Sequence, residues 1–591
     1  MPEMPWKNLT SRLPRIGREI VGLDLRSLGL MRIFLGAIIL IDLVVRSTYL
    51  RIFYSDEGLL PRYAVLDFWH RPTYLSLHMV SGHWLFQALL FLVAACAGLC
   101  FLVGFRTRLA GFITWFLLIS LHIRNPLVLN GGDIVFRLLL FWSLFLPLGA
   151  RFSFDSLLGE LEEDRPRKSR APLFASVGSA GFILQLAGLY AVSTLHKIGT
   201  TWNDGTAVYY AANVDYLAEQ PQADWLRGQP ELMAWLTDAT FIIELWVPFL
   251  LLMPFFRGPI RTLVCLQFII LHLAFTTFFA IGLFPWICIA GWVGILPGWL
   301  WDRTRLRDPE TESPRLSIRS RWWVQVLAVF ALIGVVQWNL ATLPEARACP
   351  NGYKEKGAWC MGRDTAGLSS ALIRSGDCPT GYDEQGAICQ RRSDSEDHYI
   401  ELLDEGCPYT YVEEAGYCRS RSPKLSQATH KRQLSWLEEL KDRPVDDWVK
   451  PWARMLRLDQ SWNMFAPNPL RDDGWVVIPG QQVDGTEVEL LHGGELSWAK
   501  PTELNETFPD QRWRKYVRNI YKKNYKELRL YWGKQLCRDW NREHAGDQRL
   551  ETLQIYFIRE RTPPPDQSEE PFDLERVKIW SHTCFKKSKE K

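Results

Sequence analysis

The residues best able to do chemistry lie inside long apolar stretches, where charge is least expected. Lys197 follows His196 at the end of the stretch 174–196. Asp238 and Glu244 lie in a second stretch, His272 in a third, and Arg137 in a fourth that Asn130 and Asp133 open. Asp42 and Arg46 stand one helical turn apart in the first stretch, a spacing that suits an internal ion pair, and Arg124 closes another. An ionisable group in hydrocarbon is costly unless it meets a partner or faces a cavity. Lys197 is the sharpest case, because an amine in low dielectric sheds its proton more readily and becomes a general base. The plainer reading is a terminal lysine that snorkels to the interface. Most of these groups fall near the external ends of their stretches. One shared, outward-facing polar cavity is therefore the functional reading, and separate buried ion pairs are the structural one.

Cysteine supplies a second pattern. Cys-Pro-x-x-Tyr-x6-Cys occurs three times, as Cys349–Cys360, Cys378–Cys389 and Cys407–Cys418, each copy starting 29 residues after the last. Gly or Ala-Gly before the second cysteine marks a turn, so the two cysteines of a copy are expected to face each other across a small hairpin. Three local disulfides follow, with other pairings among the six left open. Zinc is the rival, but pairs 11 apart do not match a zinc knuckle, and no metal centre is expected. Cys537 and Cys584 are candidates for a fourth bridge. A rigid structural or recognition module explains the repeat better than a reactive centre.

The elements that must position these residues are read from hydropathy. The 591-residue chain is 48% hydrophobic with a mean hydropathy of −0.08, a value typical of soluble enzymes. That average joins two unlike materials. Residues 345–591 hold 80 charged side chains, and the longer first part, 1–344, holds 53. Nine apolar stretches of near-bilayer length lie at 29–47, 84–104, 107–123, 134–150, 174–196, 234–254, 260–280, 283–301 and 322–341. They are apolar nearly all round, unlike the striped helices of soluble bundles.

Placing the N-terminus in the cytoplasm puts 20 Lys/Arg on that side and 6 in the opposite loops. Everything after about residue 344 then lies outside, where disulfides form. Residues 1–27 are polar and basic, with no cleavable leader visible, so the first helix is expected to serve as an uncleaved signal anchor. A net charge of +3 without a long basic run argues against nucleic acid as a partner.

The expected architecture is a polytopic α-helical membrane protein of about nine spans. It comprises an N-terminal arm (1–27), a membrane domain (28–344), the disulfide-hairpin repeats (345–420), a charged connector (421–445) and a β-rich extracytoplasmic domain (446–591). Strand patterns occur at Trp475–Ile478, Glu487–Leu491 and Thr552–Ile558, and a basic, aromatic, helix-prone stretch at 510–541. The face of that stretch suits lipid headgroups or an acidic peptide, or is simply solvated.

Several of these residues also carry a resemblance. The relevant stretches are Tyr54 to Arg62 (YSDEGLLPR), Arg124-Asn-Pro126 with Asn130-Gly-Gly-Asp133, Phe145 to Gly149 (FLPLG), and Leu195-His-Lys-Ile198 followed by Trp202 to Thr206 (WNDGT). Others are Glu244 before Pro248, Leu271-His272 followed by Ile281 to Pro285 (IGLFP), and Gln460 to Pro467 (QSWNMFAP) with Gly474-Trp475. The membrane half resembles the horizontally transferred transmembrane (HTTM) domain, a family that includes the vitamin K-dependent gamma-carboxylases. The resemblance is strong over roughly 28–301, weaker over 450–545, and does not account for the cysteine repeat.

It implies a nine-helix bundle with an external β-rich domain, and a reduced quinone as cofactor. In the carboxylases a lysine deprotonates reduced vitamin K, oxygen then yields a strong base, a peptide glutamate loses its γ-proton, and CO2 adds. Lys197 matches that lysine and His272 a family histidine, which makes these two the candidate catalytic residues. Asn130, Asp133, Glu244 and Trp202 are the candidates for holding the quinone. The carboxylases place a histidine directly after the asparagine that Asn130 matches, whereas Gly131 and Gly132 stand here. The functional expectation is a carboxylase-like membrane protein that modifies or matures a secreted peptide, protein or lipid at the external face. The alternative is a non-enzymatic receptor or assembly factor for such a ligand.

Overall fold

The computed structural model describes residues 19–162, 173–304, 321–343 and 449–585, with short gaps, and the strands between 353 and 420. Each of the nine apolar stretches forms a helix. They are α1 (Leu25–Thr48), α2 (Trp84–Val103), α3 (Thr107–Arg124), α4 (Gly131–Ser143), α5 (Val177–His196), α6 (Pro230–Leu250), α7 (Arg257–Phe278), α8 (Phe284–Ile295) and α9 (Trp322–Thr342). Among the described residues six of them, α1, α2, α5, α6, α7 and α9, are long and apolar enough to cross a membrane. The chain is an integral membrane protein.

The other three differ from the expected spans for local reasons. α3 has 18 residues but carries Arg108, His122 and Arg124. α4 is held to 13 residues, opened by a capping box between Asn130 and Asp133. α8 runs for 12 residues from Pro285 in its first turn to the bend at Leu296-Pro297. α4 and α8 are buried on nearly every side. Their all-round apolar character therefore reflects an inner position rather than contact with lipid. The outer helices show the opposite: α2 exposes Leu85, Leu89, Leu92 and Leu99 while Leu90, Phe91, Ala94 and Phe101 face inward. Close approach of α1 and α2 depends on glycine, since a Cβ on Gly36 would lie 2.6 Å from Leu102 Cα.

Hydrogen bonds sort the helix ends into two groups. At one end Arg261 donates to Gly22 O (2.7 Å), Ser27 Oγ to Leu296 O (2.7 Å), and Arg26 to Asp24 and Asp302 (2.8 and 3.0 Å). The opposite end, where α1, α3, α5 and α7 finish and α4, α6 and α8 begin, receives the C-terminal region.

That region holds a five-stranded antiparallel sheet of β1 (Asp472–Val477), β2 (Pro479–Gln482), β3 (Glu487–Glu489), β4 (Leu550–Arg561) and β5 (Asp573–Thr583). β4 is central, with β5 along one edge and β1 and β2 along the other. Two helices, α10 (Gln511–Tyr521) and α11 (Arg529–Glu543), cover it. Asp510 starts α10 by accepting from the N–H groups of Arg512 and Trp513 (2.8 and 3.0 Å). Cys537 and Cys584 are bonded, tying α11 to the end of β5.

In the repeat segment, strands Tyr353–Lys356 and Trp359–Arg363 pair antiparallel, as do Tyr382–Gln385 with Ile388–Arg391 and Tyr411–Glu414 with Tyr417–Ser420. Cys349, Cys378 and Cys407, the side chains of Cys360, Cys389 and Cys418, and the connector 421–445 lie outside the described residues, so the three expected bridges do too.

Candidate functional site

A cavity of about 70 Å³ lies among α5, α6 and α7 under the C-terminal region. Lys197 reaches it from the end of α5, where its backbone N–H still bonds to Thr194 O (2.9 Å) before the chain leaves the helical path. Its Nζ donates to Glu244 Oε2 of α6, and both residues are buried. Trp202 lays its ring 4.4 Å from Nζ, a cation–π contact that a water-poor wall strengthens. Thr194 Oγ1 stands 3.5 Å from the same carboxylate oxygen.

His272 lines the wall from α7. Its Nδ1 lies 2.8 Å from Phe268 O. A carbonyl oxygen only accepts, so Nδ1 carries the proton, and in the neutral ring Nε2 accepts from the Tyr190 hydroxyl at 3.3 Å. Tyr190 in turn accepts from Trp292 Nε1 (3.0 Å). The remaining walls are largely apolar and aromatic, including Leu189, Phe275, Phe279, Ile281 and Phe284.

The roof comes from the C-terminal region. Met464, Phe465 and Pro469 line the cavity. Phe465 O accepts from Trp202 Nε1 (2.8 Å), and Asn468 Oδ1 accepts from both the N–H and the hydroxyl of Thr201 (3.1 and 2.9 Å). Phe465 adopts a left-handed backbone (φ 56°), a conformation that costs a bulky residue about 1–2 kcal/mol and is held only by its surroundings. The segment before it threads into the bundle. Arg137 of α4 donates to Arg457 O (2.8 Å) and to Asp459 O. Gln460 Oε1 accepts from Gln185 Nε2 (2.8 Å) and Trp462 Nε1 (3.0 Å), and Trp462 is fully buried. Gln185 lies eleven residues before the end of α5, so this non-helical chain penetrates roughly 16 Å along that helix. Such backbone persists at membrane depth only where protein encloses it.

Of the residues singled out by sequence, Lys197, Glu244, Trp202 and His272 meet around this one cavity. Asn130 and Asp133 do not line it. They belong to a separate buried ion network: Asp133 accepts from Arg46 (2.6 Å) and from Arg512 of α10, and Asp42 accepts from Arg46 and Arg512 (both 2.8 Å). Asn130 N–H donates to Asp133 Oδ2 (2.7 Å), and Arg46 also donates to Tyr54 OH (2.8 Å). Tyr190, Arg512 and the roof residues were not singled out from sequence as site members. The Gln460–Pro467 motif flagged the roof segment as a unit without indicating where it goes.

Residues 22–296 match the model of the HTTM domain. This chain carries an HTTM domain. Its first matched residues precede α1 and its last is the end of α8, so all four residues around the cavity fall inside it, while the roof lies outside. No curated protein and no solved structure matches the chain.

Proposed function

We propose that the HTTM domain and its roof form a membrane-embedded acid–base site, carboxylase-like in character, that acts with a reduced quinone to modify or mature a secreted peptide or lipid at the external face. The observation that carries this reading is the contact between Lys197 and Glu244 in a cavity walled by aromatic rings. In low dielectric a lysine–glutamate pair interconverts with its neutral form when one proton passes from Nζ to Oε2. That transfer leaves a lone pair on Nζ, and Lys197 becomes a base while Glu244 stores the proton. The aromatic lining and the paired polar groups suit a ring-bearing phenol. A quinol held there supplies an acidic hydroxyl. Lys197 takes its proton, Trp202 and the Phe465 roof keep water out, and the neutral His272 with Tyr190 orients polar atoms at the opposite wall.

The external face is assigned from the 20-to-6 Lys/Arg asymmetry and the Cys537–Cys584 bridge. A reporter fused at residue 400 is expected outside the cytoplasm.

One observation favours the non-enzymatic reading. Where carboxylases carry histidine, Gly131 lies against the Met464 side chain of the roof, which would have to shift to admit a Cβ (2.8 Å from Sδ). Glutamate carboxylation itself is therefore not proposed.

The test compares the peptides and lipids of cells carrying wild type, Lys197→Ala and a deletion. Any Lys197→Ala protein that accumulates in the membrane is expected to reproduce the deletion profile. If it behaves as wild type wherever the deletion has an effect, the base role is wrong and the receptor reading stands.

A further inference from the structure

Helix α10 lies across the external end of the bundle, and its neighbours' contacts define the side that faces the HTTM domain. Gln511 covers Gly282, whose added Cβ would lie 2.0 Å from Gln511 Oε1. Arg512 Nη1 donates to Val128 O (3.1 Å), Arg514 to Tyr216 O and Ala280 O (2.9 Å each), and Asn519 Nδ2 to Leu127 O (2.8 Å). At about 100° per residue, Lys515, Arg518 and Lys522 fall between these residues on the same side.

Arg512, Asn519 and the Nη groups of Arg514 are satisfied by backbone carbonyls or by Asp42 and Asp133. The three cations are not. Among the described residues none of them has a carboxylate within ion-pair distance, and Lys515, half-buried, has no hydrogen bond. Arg518 gives Nη2 to Asp472 O (2.9 Å) and lies over the Tyr216 ring, which leaves Nη1 buried without a partner.

The nearest acids are engaged. Asp133 serves Arg46 and Arg512. Asp473 accepts from the N–H groups of Tyr216 and Gly474 (3.2 and 2.7 Å), and burial pushes it up to about 6 against the pull of the Arg518 charge. Burial, with Lys522 and Arg518 adding to it, pushes Lys515 down to about 8. Three cations facing acids that are already engaged, one donor dehydrated, make the environment an oxyanion completes.

We propose that Lys515, Arg518 and Lys522 form an oxyanion site at the seam between the C-terminal domain and the HTTM domain, its ligand a phosphate group, either free or carried on a lipid. The site is separate from the Lys197 cavity and does not depend on the chemistry assigned there.

Full-length protein in phosphatidylcholine nanodiscs is titrated with inorganic phosphate against chloride at matched ionic strength, with thermal shift and calorimetry as readouts. A second preparation contains phosphatidylglycerol and no added phosphate. Saturable stabilisation by phosphate in the first preparation marks the free anion. Stabilisation by phosphatidylglycerol that then blocks phosphate marks the lipid headgroup. Lys515→Gln and Lys522→Gln are each expected to weaken the effect at least tenfold, whereas Lys534→Gln, exposed on α11, leaves it unchanged. Lys522 is itself exposed, so its variant reports even where Lys515→Gln fails to fold. No saturable effect from either source, or wild-type binding by Lys522→Gln and by any Lys515→Gln protein that folds, overturns the proposal.

Discussion

An ammonium and a carboxylate in contact under an aromatic roof are held by each other more than by anything around them. The cavity walls are largely apolar, and the Trp202 face is the main other attraction for Nζ. Removing one partner leaves a buried charge unpaired, which costs about 3–5 kcal/mol, whereas replacing both with apolar residues of similar volume is often near neutral. Lys197→Met and Glu244→Leu are therefore each expected to lower thermal stability in detergent strongly, and the double variant to lose much less than their sum. Additive losses would mean that the two side chains do not interact. Each of the two residues stands out in the sequence because a charge within an apolar stretch is conspicuous. Their pairing does not, because 47 residues separate them and only the packing of α5 on α6 brings them together.

The roof is an element whose stability comes from its anchors. Between 457 and 469 it has no regular secondary structure, and its position rests on Arg137, Gln185, Trp202 and Thr201. Asn468 makes two of those bonds, so Asn468→Ala is expected to cost about 1–3 kcal/mol locally by leaving the Thr201 donors unmet. Hydrogen exchange over 457–470 should speed up while the β4–β5 ladder keeps its protection; unchanged exchange over the roof would show that Asn468 is not an anchor. Elements of this kind are hard to read from sequence. The nine apolar stretches have length and hydropathy to reveal them, and the strands around Trp475 and Thr552 and the helical stretch near 510 have a hydropathy period. The roof has none, and Trp462 and Phe465 look like ordinary interfacial aromatics until the chain is seen entering the bundle. Hydropathy reports burial as well as span, so inner α4 and α8, 13 and 12 residues long, read as apolar all round as the outer helices do.

At the scale of the whole molecule, two halves of unlike composition share one buried ion network. The HTTM domain contributes Asp42, Asp133 and Arg46; the C-terminal domain contributes Arg512. Two carboxylates against two guanidiniums leave this network neutral, so neither half's share of it is balanced without the other. Sequence alone allowed the Asp42–Arg46 pair from its spacing, but the excess carboxylate at Asp133 gave no hint that its partner lies 379 residues away. Arg512→Met removes one charge and leaves a buried carboxylate uncompensated. The C-terminal domain is then expected to loosen from the bundle, with faster proteolysis in 446–470 and a lower thermal midpoint. Asp42→Asn in the same chain restores balance, since Asp133 and Arg46 remain as a pair, and should recover part of both losses. A lost hydrogen bond alone would predict the opposite, with the double variant worse than the single. Recovery therefore identifies charge balance as what docks the C-terminal half onto the membrane half, and through it sets the roof over Lys197.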